Sequence, residues 1–229
     1  MISVVIPTLN AEAGLAASLT SLVPAAVDGL VREVLVVDGG STDRTLKIAD
    51  QAGATVIKSD RGRGQQLAVG ARAARMPWLL FLHADTVLEE GWHREASAFI
   101  ERVEAGQRPP SAAAFRFALD DLGLAPRVIE AGVAARCALL RLPYGDQGIL
   151  LPMELYRSIG GFREMPLMED VDLIRRLGRS RIVVLRACAV TSAVRYRREG
   201  YVRRSLRNLT CLSMFYMRVP PSVIARFYR

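Results

Sequence analysis

Four short apolar runs, each separated from the next by a helical pattern, govern what the first hundred residues can become. ISVVI (2–6), EVLVVD (33–38), ATVIK (54–58) and WLLFLH (78–83) have the length of strands. Between them, Glu12 to Leu22, Thr42 to Gln51 and Gln65 to Arg75 carry apolar residues three and four apart. This alternation predicts an α/β fold, a mostly parallel central sheet with helices on both faces. In an open sheet of that kind ligands gather beyond the carboxyl ends of the strands. The polar residues at those ends are therefore the candidates for chemistry.

The first run ends in Pro7, Thr8 and Asn10, the second in Asp38 followed by GGSTDRT, the third near RGRG, and the fourth in His83 and Asp85. Read as strand residues, His83 and Asp85 project to one side, because alternate residues of a strand do so. An acidic helix start is expected at Glu89 and Glu90. A tight turn and an N-cap from Ser41 or Thr42 account for the segment after Asp38. They do not account for Asp38 itself, an acid on the last residue of a run expected to be buried. RGRGQQLAVG (61–70) has Leu67 where a dinucleotide fingerprint needs its third glycine, which disfavours a Rossmann cofactor. Arg61 and Arg63 beside two glycines suit a phosphate instead.

Farther along, AAAFRF (112–117) and QGILL (147–151) read as strands and Pro126 to Leu140 as a helix. Pro152 to Ile159 reads as a short helix closed by Gly160 and Gly161, and Glu169 to Leu177 as another closed by Gly178. MEDVDLIRRL places Glu169, Asp170 and Asp172 in a first turn, where the helix dipole favours carboxylates. A carboxylate there that faces a cleft can serve as a general base.

These features occur in one order, and in that order the chain resembles the family 2 glycosyltransferases of the GT-A fold. VVIPTLNAE, VLVVDGGSTDRT, FLHADT, the Gly160-Gly161-Phe162 turn and MEDVDLIRRL carry the resemblance, over about residues 1 to 178. The resemblance implies an inverting transfer of a sugar from a nucleotide-diphosphate donor to an acceptor hydroxyl, assisted by Mg²⁺ or Mn²⁺. It implies that Pro7, Thr8 and Asn10 border the nucleotide, that Asp38 accepts a hydrogen bond from the base, and that Asp85 binds the metal. It makes Asp170 the base that deprotonates the acceptor, with Glu169 its nearest competitor. His83 stands where the family has its first acid, so donation to ribose or phosphate oxygen suits it better than metal ligation. Arg195 and Arg198 of VRYRREG (194–200) are expected to help hold the diphosphate.

One domain spanning 1–229 is expected, with 1–110 as a nucleotide-binding half, 111–190 as an acceptor half and 191–229 as a basic C-terminal helical segment. The net charge of +8 is concentrated late: from Val171 onward there are fourteen arginines, no lysine and only Asp172 and Glu199 as acids. Solvated helix faces explain such a charge, as do anionic lipid, substrate phosphates or nucleic acid. A nucleic-acid-binding protein is disfavoured, since no recognisable motif accompanies the arginines and the strand-tip acids would repel phosphate. A nucleotidyltransferase is disfavoured by the lack of a lysine-bearing signature loop near the N-terminus. A degenerate domain that binds a nucleotide sugar without turnover is the remaining alternative.

Cys137, Cys188 and Cys211, far apart and odd in number, read as free thiols rather than a disulfide framework or a zinc site. The opening ISVVI lacks a basic n-region, and no uncharged apolar run reaches the roughly 18 residues of a spanning helix. A cytoplasmic protein is expected, with membrane contact at most peripheral, at the inner face. Tyr201 to Met217 has Val202, Leu206, Leu209, Leu212, Phe215 and Tyr216 at helical spacing, with Arg203, Arg204 and Arg207 among them. Such a helix either packs on the core or lies on an anionic membrane surface, bringing a lipid-linked acceptor to the site.

Overall fold

This computed structural model describes residues 1–228. In chain order these form β1 (Ile2–Thr8), α1 (Glu12–Thr20), α2 (Val23–Val27), β2 (Val31–Asp38), α3 (Thr45–Gln51), β3 (Thr55–Lys58), α4 (Arg63–Ala73), β4 (Trp78–Phe81), β5 (Thr86–Leu88) and α5 (Trp92–Glu104). There follow β6 (Ala112–Asp120), α6 (Leu124–Leu140), β7 (Ile149–Pro152), α7 (Met153–Ser158), α8 (Glu169–Leu177), β8 (Ile182–Ser192), α9 (Val194–Glu199), α10 (Tyr201–Tyr216) and α11 (Pro221–Tyr228). A 3-10 turn, Gly145–Gln147, precedes β7.

All the strands lie in one sheet of order β3-β2-β1-β4-β7-β6-β8-β5. β3, β2, β1 and β4 run parallel. β7 is antiparallel to both β4 and β6, β8 is parallel to β6, and β5 is an antiparallel edge on β8. The β4·β7 pairing carries the sheet across the expected division at residue 110. β1 and β4 are buried on both faces, which is why their runs are continuously apolar rather than alternating, whereas the edge strand β3 is partly exposed.

The two faces of the sheet have separate cores. Val4, Ile6, Leu80 and Leu82 point to one side and pack with Leu15, Trp92, Phe99 and Phe115. Val5, Val37, Leu79 and Phe81 point to the other and pack with Leu67, Phe162, Leu173 and Ile174. α1 and α5 thus cover one face and α4 and α8 the other. Truncation of a fully buried leucine such as Leu79 or Leu80 to alanine typically costs about 2–5 kcal/mol. The second layer matters for function, because α4 and α8 bring Arg63, Glu169 and Asp170 over the strand ends.

Several expectations need correction. β4 stops at Phe81, so His83 and Asp85 lie in a turn, closed by the Thr86 N–H donating to the His83 carbonyl at 3.2 Å, and strand alternation does not orient them. Glu89 and Glu90 do not open a helix. The Glu89 N–H donates to the Cys188 carbonyl and its carboxylate accepts from the Cys188 N–H, so Glu89 prolongs the β5·β8 pairing, and α5 starts at Trp92. Neither Ser41 nor Thr42 caps α3. Asp43 takes the Thr45 N–H and hydroxyl, while the Ser41 hydroxyl goes to Asp38. QGILL is strand only from Ile149, since Gln147 belongs to the 3-10 turn. β5 and β8 were not expected at all.

Candidate active site

The carboxyl tips of β1 and β2 are fastened side by side, Thr8 opposite Asp38. Asp38 is 2% exposed and both its oxygens are engaged. It accepts from Thr8 Oγ1 at 3.0 Å, from the Gly40 and Ser41 N–H groups at 2.9 and 2.8 Å, and from Ser41 Oγ at 2.5 Å. Burial works to raise the Asp38 pKa, but these bonds from Ser41, Gly40 and Thr8 outweigh it and hold the carboxyl below its ordinary value. From α4, Gln66 Nε2 donates to the Thr8 and Val37 carbonyls at 2.7 and 2.8 Å, tying both tips to one buried amide. Pro7, half-buried, precedes Thr8 in β1.

Asn10, exposed with φ 51°, clasps the neighbouring loop: its Oδ1 accepts from the Thr42 N–H at 2.9 Å and its own N–H donates to Ser41 Oγ. Asparagine tolerates this left-handed backbone better than most residues do. The loops after β1 and β2 therefore form one rim.

Across the rim lies a cluster of charged groups. Arg63 opens α4 and its Nε donates to Oε1 of Glu169, the first residue of α8, which is 1% exposed. Burial, seconded by Asp170, pushes the Glu169 carboxyl up against the opposing charge of Arg63. The Arg63 guanidinium is shifted further up, burial being outweighed by Glu169 and Asp170. Gly64 permits this approach, because a Cβ there would lie 2.6 Å from the Arg163 carbonyl oxygen and 3.2 Å from the Glu169 Cβ. That requirement explains the second glycine of RGRG without a nucleotide.

Asp170 is held from two sides. Its Oδ1 accepts from the Val171 N–H and its Oδ2 from the Gly145 N–H, each at 2.8 Å. Met168, at φ 67°, sets the entry into α8. A Cβ on Gly145 would lie 3.0 Å from His83 Nε2 and 3.1 Å from Asp170 Oδ2, so His83 and Asp170 flank the same glycine. Burial and the nearby Arg63 charge push the His83 pKa down to about 4, against Asp85 and Asp170. At neutral pH this imidazole is uncharged. Asp85, half-buried, follows in the same turn, and its carbonyl accepts from the Ser192 N–H.

Glu169, Asp170, Arg63 and His83 are thus brought together, and the Arg195 charge on α9 also acts on His83. Arg61, before α4, and Arg198, on α9, are exposed and without an acidic partner among the described residues. Three site features escaped the sequence reading: Gln66, the Gly145 N–H and Asp146. Burial, with Asp170 adding to it and Arg136 and Arg63 opposing, raises the Asp146 carboxyl to about 6, and Asp146 Oδ1 is buried without a partner. The PYGDQG stretch (143–148), rich in turn formers around an acid, was the available signal.

Residues 3–112, the segment that builds the β1 to β4 tips, match the family described as glycosyl transferase family 2. Over these residues the chain is similar to that family. A PGL/p-HBAD biosynthesis glycosyltransferase of Mycobacterium bovis is 40% identical over 103 residues, 39% of this chain and 37% of its own length. Glucosyl-3-phosphoglycerate synthase of Mycobacterium tuberculosis is 36% identical over 95 residues, 38% of this chain and 29% of its own. The chain spans well under half the length of these curated relatives. The crystal structure of the latter enzyme with Mn²⁺, uridine diphosphate and glucosyl-3-phosphoglycerate matches with a TM-score of 0.57 at 23% identity, over 91% of this chain and 78% of that one. S. aureus TarS with UDP-GlcNAc matches with a TM-score of 0.63 at 20% identity, over 83% and 58%. At such identities the likeness establishes the fold, which is GT-A.

Proposed function

We propose that the protein transfers a sugar from a nucleotide-diphosphate donor to an acceptor hydroxyl, inverting the anomeric centre, with Mg²⁺ or Mn²⁺ assisting at Asp85. The observation that carries this reading is the convergence of Asp170, His83 and Gly145 at one point beside strand tips whose segment matches the glycosyl transferase family 2 model. The uridine diphosphate and Mn²⁺ held by the mycobacterial synthase support a similar donor and cation here.

Among the described residues no group of three or more His, Cys, Asp or Glu is placed to hold a metal. One carboxylate, Asp85, beside a neutral His83 fits a cation that arrives with the donor, because Mg²⁺ usually takes one or two carboxylates together with substrate phosphates. Such a cation would supply charge neutralisation to the leaving diphosphate. Pro7, Thr8, Asn10 and Asp38 would frame the nucleotide, with Arg61, Arg195 and Arg198 available to the phosphates. His83, uncharged, would donate N–H to a donor oxygen.

Asp170 is the base of this reading. The acceptor oxygen forms its bond to the anomeric carbon as the bond to the diphosphate oxygen breaks, and the hydroxyl proton passes to the Asp170 carboxylate. Glu169 is less suited, being engaged by Arg63 and all but inaccessible. The test is a panel of nucleotide sugars assayed for transfer and donor hydrolysis with and without Mn²⁺. Cation-stimulated turnover of one donor is expected. Donor binding without turnover would favour the second reading, a nucleotide-sugar-binding protein, for which the sparse metal-ligand set speaks. The acceptor is proposed to be lipid-linked, reached from the inner face of a membrane to which the basic C-terminal segment attaches.

A further inference from the structure

No helix among the described residues is long and apolar enough to cross a membrane. Two helices nevertheless present apolar faces to solvent. In α10, Arg204 and Cys211 are buried, while Val202, Leu206 and Leu209 are 72, 59 and 59% exposed and Tyr216 and Met217 continue the same stripe. α6 is the less expected case. Ile129 and Val133 pack inward beside Phe117 and Leu119, yet Leu124, Val128 and Leu139 are 86, 70 and 77% exposed. Arg127 is the only charged residue among the exposed positions of α6.

The surrounding charge is predominantly positive. Arg141, Arg195, Arg198, Arg203, Arg218 and Arg226 are exposed and have no acidic partner among the described residues. Of the acids of this region Asp120, at the end of β6, stays exposed and unpaired among the described residues, and the others are consumed internally. Glu199 takes Arg204 and Arg207, Glu130 takes Arg127, and Asp121 takes Arg197 and the Tyr201 hydroxyl. An apolar surface ringed by unneutralised arginines complements a bilayer with anionic headgroups, where apolar side chains enter the acyl boundary and each basic residue adds electrostatic attraction. A second copy of the chain would bring the same arginines against themselves.

We propose that the exposed faces of α6 and α10, which pack against each other, form one seat for an anionic lipid surface. The inference rests on the membrane attachment in the proposed function and extends it from the C-terminal segment to α6. The seat adjoins the site. Arg136 of α6 lies 4.0 Å over the Tyr144 ring, next to the Gly145 N–H that holds Asp170. A lipid-linked hydroxyl emerging from the headgroups would meet this side of the molecule.

The test is flotation of the full chain at low salt with vesicles of phosphatidylcholine containing about a third phosphatidylglycerol, and with phosphatidylcholine alone. Wild type should float with the anionic vesicles only. Leu124→Glu with Val128→Glu, and separately Leu206→Glu with Leu209→Glu, should each lower partitioning by about tenfold or more, with unchanged circular dichroism. Wild-type partitioning by the α6 pair would overturn the two-helix seat, and equal recovery on neutral vesicles would overturn the anionic surface. Failure of wild type to float, with either pair converting a dimer into a monomer in size-exclusion chromatography, would assign the faces to a second copy and overturn the proposal. Donor hydrolysis without lipid, on the same preparations, judges the transferase reading separately. A chain without turnover that still floats as expected supports the seat.

Discussion

The Gly145 N–H donates to Asp170 Oδ2 at 2.8 Å, and a Cβ there would crowd both Asp170 Oδ2 and His83 Nε2, at 3.1 and 3.0 Å. Gly145→Ala should therefore displace the carboxylate by a few tenths of an ångström. In steady-state kinetics it should lower kcat by about tenfold, with donor KM changed less than about threefold. A wild-type kcat would mean that the Asp170 position is not critical to the reaction.

Asp170→Asn and Glu169→Gln should separate cleanly. The first should reduce transfer by ~10²-fold or more, with donor affinity near wild type in calorimetric titration. The second should act mainly on stability, because it leaves the buried partner of Arg63 uncharged. A loss of about 1–3 kcal/mol in denaturant unfolding is expected. Nearly normal transfer by Asp170→Asn would move the base elsewhere.

Asp85→Ala should abolish the Mn²⁺ dependence of donor binding, since it removes the carboxylate oxygen that a hard cation prefers. His83→Ala should weaken the donor while leaving the dependence on Mn²⁺ unchanged. His83→Asp should be tolerated and should sharpen that dependence. Titration of donor against each variant, with and without Mn²⁺, distinguishes these patterns. A wild-type response from Asp85→Ala would shift the neutralising role to Arg195 and Arg198.

Asp146 gives a pH-dependent prediction. Its carboxyl is raised to about 6 by burial, so its ionisation opposes folding. The penalty is absent below the unfolded value near 3.8, grows between there and 6, and is complete above 6. Asp146→Asn should raise the melting temperature at pH 8 and leave it nearly unchanged at pH 4. An equal effect at both values would show that the carboxyl is not desolvated.

Glu33 should behave in the opposite sense. Burial raises its pKa, but Ser3 Oγ at 2.6 Å and Arg75 outweigh burial and hold it below the ordinary value. The stabilisation it contributes is present above the unfolded value of about 4.5 and is lost as pH falls through the folded one. Glu33→Gln should therefore destabilise the protein at pH 7 but not at pH 3, as read by urea midpoints.

The parallel half was legible because β1, β2 and β4 carry continuous apolar runs and each strand ends on or is closely followed by chemically distinct residues: Thr8, Asp38, the RGRG loop, then His83. The acidic start of α8 was legible for a similar local reason, three carboxylates in a first turn closed by Gly178. β8 was not, because its apolar run IVVL (182–185) is short and is interrupted by Arg186, so the strand's remaining length shows no continuous apolar pattern. β5 has three residues, too few for any period to show. Gln66, the Gly145 N–H and the free face of α6 depend on contacts far apart in sequence, or on their absence, and no local pattern reports either.

The sheet's last pairing is also its most distant. Thr86–Leu88 finds its partners only when Ala189–Thr191 arrive, roughly a hundred residues later, and β8 must meanwhile settle between β6 and β5. During synthesis the turn bearing His83 and Asp85 therefore leads into a strand with no neighbour on the ribosome. A chain cut after α8 would keep every motif of the family yet leave β5 and one edge of β6 bare, a template for pairing between molecules.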